Sequence, residues 1–199
     1  MIPRHLIIGV AVMLVVILAM GFYMLHMRVT ARRRENAAPN AQPVAPPVSG
    51  PTEQVTLYVA DDEDGSLRVQ STRIPLPAGR QERAEELLRA LLNIYLGNSS
   101  PHPLGPGSEI RNVYLVDPGL AVIDVNGAFA QTHRSGVLVE ELTVASLVET
   151  LSTNIPGLTQ VKILVEGKEQ DTLAGHVDLT GFFDTGAMAQ VARQMQSGQ

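Results

Sequence analysis

The sequence predicts an α+β domain of element order β-β-α-β-β-α-β-β, with two helices on one face of a mixed, largely antiparallel sheet, carried behind one transmembrane helix. Three observations predict it. An uncharged apolar run opens the chain. Short segments of alternating apolar and polar residues recur between Val55 and Phe183, and two longer segments repeat their apolar residues at helical spacing.

The apolar run, Leu6 to Leu25, has no charged residue, and twenty residues of helix span about 30 Å, the thickness of a bilayer's hydrocarbon core. No small-x-small site follows it, so the expectation is an uncleaved span over residues 6–27 behind a short flank at 1–5. Residues 28–53 are then a basic juxtamembrane segment and a linker. The linker sequence NAAPNAQPVAPPVSGPTEQ, with five prolines and almost no charge, favours extended states over a packed core. Arg28, Arg32, Arg33 and Arg34 follow the span whereas Arg4 alone precedes it, a distribution that by itself favours a cytoplasmic domain.

The folded region is assigned to residues 54–184, with a tail at 185–199 left open between a short helix and irregular chain. Its first strand is VTLYVA at 55–60, with Val55, Leu57 and Val59 alternating against polar or small neighbours. A second runs from Leu67 to Leu76, with Asp64-Gly65 making the turn between them and Pro75 marking an edge. Gln81 to Leu96 reads as a helix whose stripe is Ala84, Leu87, Leu88, Leu91, Leu92 and Tyr95. IRNVYLV and LAVIDVN, joined at Asp117–Gly119, form a hairpin. The second helix covers Val139 to Ile155; Val144, Leu147, Val148, Leu151 and Ile155 form its buried stripe, leaving Glu140, Thr143, Ser146, Glu149, Thr150 and Thr153 mostly on the surface. Pro156-Gly157 stops it. VKILVE, a turn at Gly167, and HVDLTGFF complete the sheet.

Composition excludes several chemistries. Residues 53–199 carry ten Lys or Arg against nineteen Asp or Glu, a charge of -9 that repels phosphate backbones, so nucleic acid is not an expected partner. The chain has no Cys, which removes thiolate nucleophiles, disulfides and Cys-ligated zinc. DDEDG at 61–65 resembles a calcium loop but puts Ala60 and Ser71 where the outer ligands belong, and reads as a solvated hairpin tip. His102, His133 and His176 stand tens of residues apart without a metal-ligand or nucleophile motif. The segment VETLSTNIPGLTQVKILVEGKE places Glu149, Thr150, Glu166 and Glu169 around a helix-to-strand junction, where framework roles account for each. No catalytic, cofactor-binding or metal residue is assigned, and no small-molecule substrate is expected.

The succession VTLYVADDEDG, LGPGSEIRNVYLVDPGLAVIDVNGAF, SLVETLSTNIPGLTQVKILVEGKE and LAGHVDLTGFF resembles the GerMN domain of the sporulation and spore germination family, over about residues 54–183. The chain departs from it in a lengthened loop from Gly97 to Gly107 and in DVNGAF, where a serine is more usual. The resemblance implies a non-catalytic module of the bacterial envelope, with one copy here where the sporulation protein carries two. It implies a single-pass protein of the cytoplasmic membrane with its domain outside, against the arginine distribution. Envelope proteins, a second copy or peptidoglycan are the implied partners. The rival expectation is a cell-wall hydrolase using an acidic pair drawn from Glu149 and Asp124.

Overall fold

The computed structural model describes residues 51–77, 79–116 and 118–197. The proposed span at 6–27 lies outside the described residues; among them, no helix is long and apolar enough to cross a membrane.

The chain opens with a long hairpin, β1 (Thr52–Asp61) against β2 (Ser66–Pro75), closed by a turn in which Gly65 takes φ +64°. Helix α1 (Arg80–Tyr95) follows and buries the six residues of its predicted stripe, Ala84 to Tyr95. β3 (Ile110–Val116) and β4 (Leu120–Val125) form the second hairpin. Next come a short helix α2 (Gly127–Gln131), the long helix α3 (Val137–Asn154) and β5 (Gln160–Val165), which pairs parallel to β4. The parallel register follows from the helical crossover, because a chain that leaves one strand and returns through a helix re-enters in the same direction. β6 (Phe183–Asp184) adds two antiparallel residues to β5, and α4 (Thr185–Ser197) ends the chain.

The α+β class and the mixed sheet stand, but the single sheet does not. The strands form two sheets, β1-β2 and β3-β4-β5-β6. The reason lies at the outer edge of β1, which α3 occupies instead of another strand. Asn154 Oδ1 accepts the N–H of Thr56 at 3.2 Å and Thr150 Oγ1 accepts that of Tyr58 at 3.0 Å. Tyr95 of α1 continues this side-chain ladder, its hydroxyl accepting the N–H of Ala60 at 2.9 Å.

This edge also corrects the reading of α3. Leu142 to Leu151 are buried without interruption, including Thr143, Ser146, Glu149 and Thr150, and Glu140 is buried too. Of the six residues placed on its surface, Thr153 is the one that is exposed. Between Leu142 and Leu151 the helix is enclosed by β1, α1 and α4, and Thr150, like Glu140 and Thr143 near its start, spends its polar group on a neighbouring segment.

The predicted last strand, HVDLTGFF, contracts to Phe183–Asp184. Side-chain charges take the place of a ladder over the rest. Glu140 accepts the N–H groups of His176 and Val177, and the Lys162 ammonium donates to the carbonyls of Leu179 and Thr180 at 3.0 and 2.6 Å. The tail at 185–197 is a helix packed on α3. Both sheets and the helices α1 to α4 contribute to one hydrophobic cluster, from Val55 to Ala192.

Candidate functional site

The densest polar chemistry lies where the β1–β2 turn, the 98–105 loop, the segment after α2 and the first turns of α3 converge. Asp61 organises the turn: its Oδ1 accepts the N–H groups of Glu63 and Asp64, and its Oδ2 pairs with Arg68 at 3.0 Å. Asp62 faces inward. Its Oδ1 lies 2.6 Å from His102 Nδ1 and its Oδ2 2.7 Å from Arg134 Nη1. His102 Nε2 and His133 Nε2 both approach Thr143 Oγ1 at 2.7 Å, and the rings stand 6.0 Å apart. His133 Nδ1 lies 2.7 Å from the Arg134 carbonyl, and Thr143 donates to the Val139 carbonyl one turn back. The histidines that the sequence spaces 31 positions apart therefore meet on one hydroxyl. A lone His in SSPHPLG carries no signal for such a meeting, because the partner comes from a distant loop.

Carboxylate, imidazole and hydroxyl in succession is also the order of a nucleophilic triad. Here the hydroxyl has no access to a substrate. Thr143 is 0% exposed and His102 1%, and Thr143 Oγ1 already has three partners. Burial lowers the pKa of both histidines, and for His102 the adjacent Asp62 carboxylate only partly offsets it. The adjoining cleft of about 570 Å³, bounded by Asp62, Glu63, Ser100, Pro101 and Arg134, meets the outer side of Asp62 rather than Thr143. The cluster is suited to fastening four chain segments together.

Glu140 makes a second hub beside it. Its Oε2 accepts the N–H groups of Ala174, His176 and Val177, while its Oε1 takes Gly136 N–H and His176 Nδ1. Burial alone would raise this carboxyl; the donors from Val177, His176 and Ala174 outweigh it and hold the pKa at about 2. His176 joins this hub instead of the His102–His133 pair.

The remaining acids named from the sequence are separated. Asp124 accepts Gly167 N–H at 2.7 Å and pairs with Arg111 at 3.1 Å. Glu166, at φ +54°, also meets Arg111 and accepts Gly127 N–H at 2.6 Å. Glu169 pairs with Lys162. Glu149 is buried with Oε1 unsatisfied, and burial pushes its carboxyl up while Arg193 of α4 opposes the shift. Asp124 and Glu149 share no hydrogen-bond or ion-pair partner among the described residues. Among the described residues, no group of three or more His, Cys, Asp or Glu is arranged to hold a metal ion.

The family model described as Germane, sporulation and spore germination, matches residues 56–171. The chain belongs to this family. Among solved structures, the tandem GerMN domains of the sporulation protein GerM from Bacillus subtilis share 20% identity at a TM-score of 0.50, covering 67% of this chain and 46% of that one. The first GerMN domain of the same protein shares 22% identity at 0.47, covering 65% and 94%. A provisionally described lipoprotein from Clostridium perfringens shares 18% at 0.44, covering 78% and 99%. No curated protein matches the sequence. The Germane match begins within β1 and ends within the loop held by Glu140, so both polar hubs lie within matched sequence apart from Ala174, His176 and Val177.

Proposed function

We propose that this Germane protein is a membrane-tethered, non-catalytic interaction module of the bacterial envelope, contributing to cell-wall or sporulation-type assemblies. The observation that carries the reading is the state of Thr143: this hydroxyl, in line with the His102 imidazole and the Asp62 carboxylate, is fully enclosed and committed to three partners. Thr143, His102 and His133 are spent on internal fastening, which leaves affinity to the surface. The tether is residues 6–27 and the spacer 28–53, with the domain on the outer side of the cytoplasmic membrane. Membership of the sporulation and spore germination family supports that side; the four arginines after the span oppose it.

In-cell crosslinking followed by mass spectrometry tests the reading, with a defined protein partner or homo-oligomer expected. An alkaline phosphatase fusion after residue 54 is expected to be active. Release of fragments from isolated cell wall by the purified full chain, lost in Glu149→Gln or Asp124→Asn, would overturn the proposal in favour of a hydrolase.

A further inference from the structure

The two edges of the first hairpin differ. On the β1 side, the N–H groups of Thr56, Tyr58 and Ala60 point away from β2, and the side chains of Asn154, Thr150 and Tyr95 take all three. Asn154 also donates to the Thr56 carbonyl. In an antiparallel pair, inward and outward backbone groups alternate along each strand. Ser71 and Val69 stand opposite Thr56 and Tyr58, so Leu67, Val69, Ser71 and Arg73 direct their N–H and C=O groups outward from β2. Among the described residues these outward groups have no hydrogen-bond partner. Arg68 to Ser71 and Arg73 are exposed, Val69 by 57%.

An open edge of this length is a template for strand addition. β3 offers another edge, but it is shorter and irregular between Ile110 and Asn112, a feature that blunts pairing. The chain's own linker is unsuited to β2, because its five prolines lack the donors a ladder needs. The sequence of β2 is compatible with itself. A two-fold axis at Gln70 sets Val69 opposite Ser71 of the second copy, Leu67 opposite Arg73 and Arg68 opposite Thr72, so no two arginines face each other. Moving the axis to Ser71 would bring Pro75, which has no N–H, into the ladder.

We infer that β2 pairs antiparallel with β2 of a second copy of this chain about an axis at Gln70, joining two hairpins into a four-stranded sheet. The inference rests on the interaction-module reading and names its partner. A ladder centred on Val69 to Ser71, stopping short of the buried Leu67, buries less than the roughly 800 Å² per partner of a stable complex. The dimer is therefore weak in dilute solution and forms where the chain is concentrated, as on a membrane.

The chain has no cysteine, so a single Gln70→Cys substitution in the full-length protein reports on the contact without background. Opposed residues of this non-hydrogen-bonded kind stand about 4.5 Å apart between Cα atoms, within disulfide reach. Mild oxidation in membranes is expected to give a covalent homodimer for Gln70→Cys and none for Gln131→Cys, exposed on α2. Adding Ser71→Pro, which removes one outward donor, is expected to reduce the dimer at least roughly fivefold. Val69→Lys is expected to do the same without altering the backbone. No dimer above the control, or a yield that neither change affects, overturns the inference. A photoreactive residue at position 70 that captures a different protein overturns self-pairing but leaves the interaction-module reading standing. Failure to crosslink any protein from several surface positions defeats both.

Discussion

Glu149 and Glu140 lie on the same helix and are both buried, yet their environments push them in opposite directions. Glu149 has a buried oxygen without a partner, and burial raises its pKa. A carboxyl raised on folding stabilises fully below its unfolded pKa and loses that contribution as pH rises through the folded value. Glu149→Gln is therefore expected to add about 1 kcal/mol near pH 7 and little near pH 4, measured by urea unfolding at both. Glu140 is the reverse case. With its pKa held at about 2, its contribution is present above the ordinary glutamate range and disappears as pH falls toward that value. Glu140→Gln is expected to cost about 2 kcal/mol at pH 7 and to make the 168–182 loop more susceptible to protease, because three backbone donors lose their shared carboxylate.

At the scale of the element, α1 was legible because one side of it is buried: the stripe from Ala84 to Tyr95 coincides with what the structure buries. α3 was legible in extent but not in orientation. Thr150, Thr143 and Glu140 fall where a solvent face would, and they are buried because they complete the edge of β1 and the loops around it. Periodicity distinguishes polar from apolar positions; it does not distinguish water from a neighbouring backbone amide as the polar partner. The same limit explains the last strand, where Glu140 and Lys162 satisfy groups that HVDLTGFF would otherwise have paired in a ladder. The histidine cluster left no trace in spacing, because its residues come from separate loops. Thr150→Val removes the acceptor for Tyr58 N–H at nearly constant volume. The expected cost is about 1–3 kcal/mol in chemical denaturation, with the helix content of the folded state unchanged.

For the whole molecule, His102 and His133 set the acid limb of stability before Glu140 does. Both are lowered by burial, so the unfolded chain binds more protons as pH falls through the ordinary histidine range. Stability is expected to decline from about pH 6.5 downward, and Thr143→Val is expected to alter that decline by removing the hydroxyl both rings share. One cluster joins both sheets to the helices, so the domain is expected to melt in a single transition, with circular dichroism and tyrosine fluorescence coincident. The side chains along β1 carry a further consequence, and it is kinetic. Asn154 and Thr150 reach back 98 and 92 positions to Thr56 and Tyr58. The first strand emerges early from the ribosome, but its finishing contacts must wait until α3 has been synthesised and docked. Closing so wide a loop slows the search for the native state, and until it closes the nascent hairpin offers both of its margins to any strand nearby.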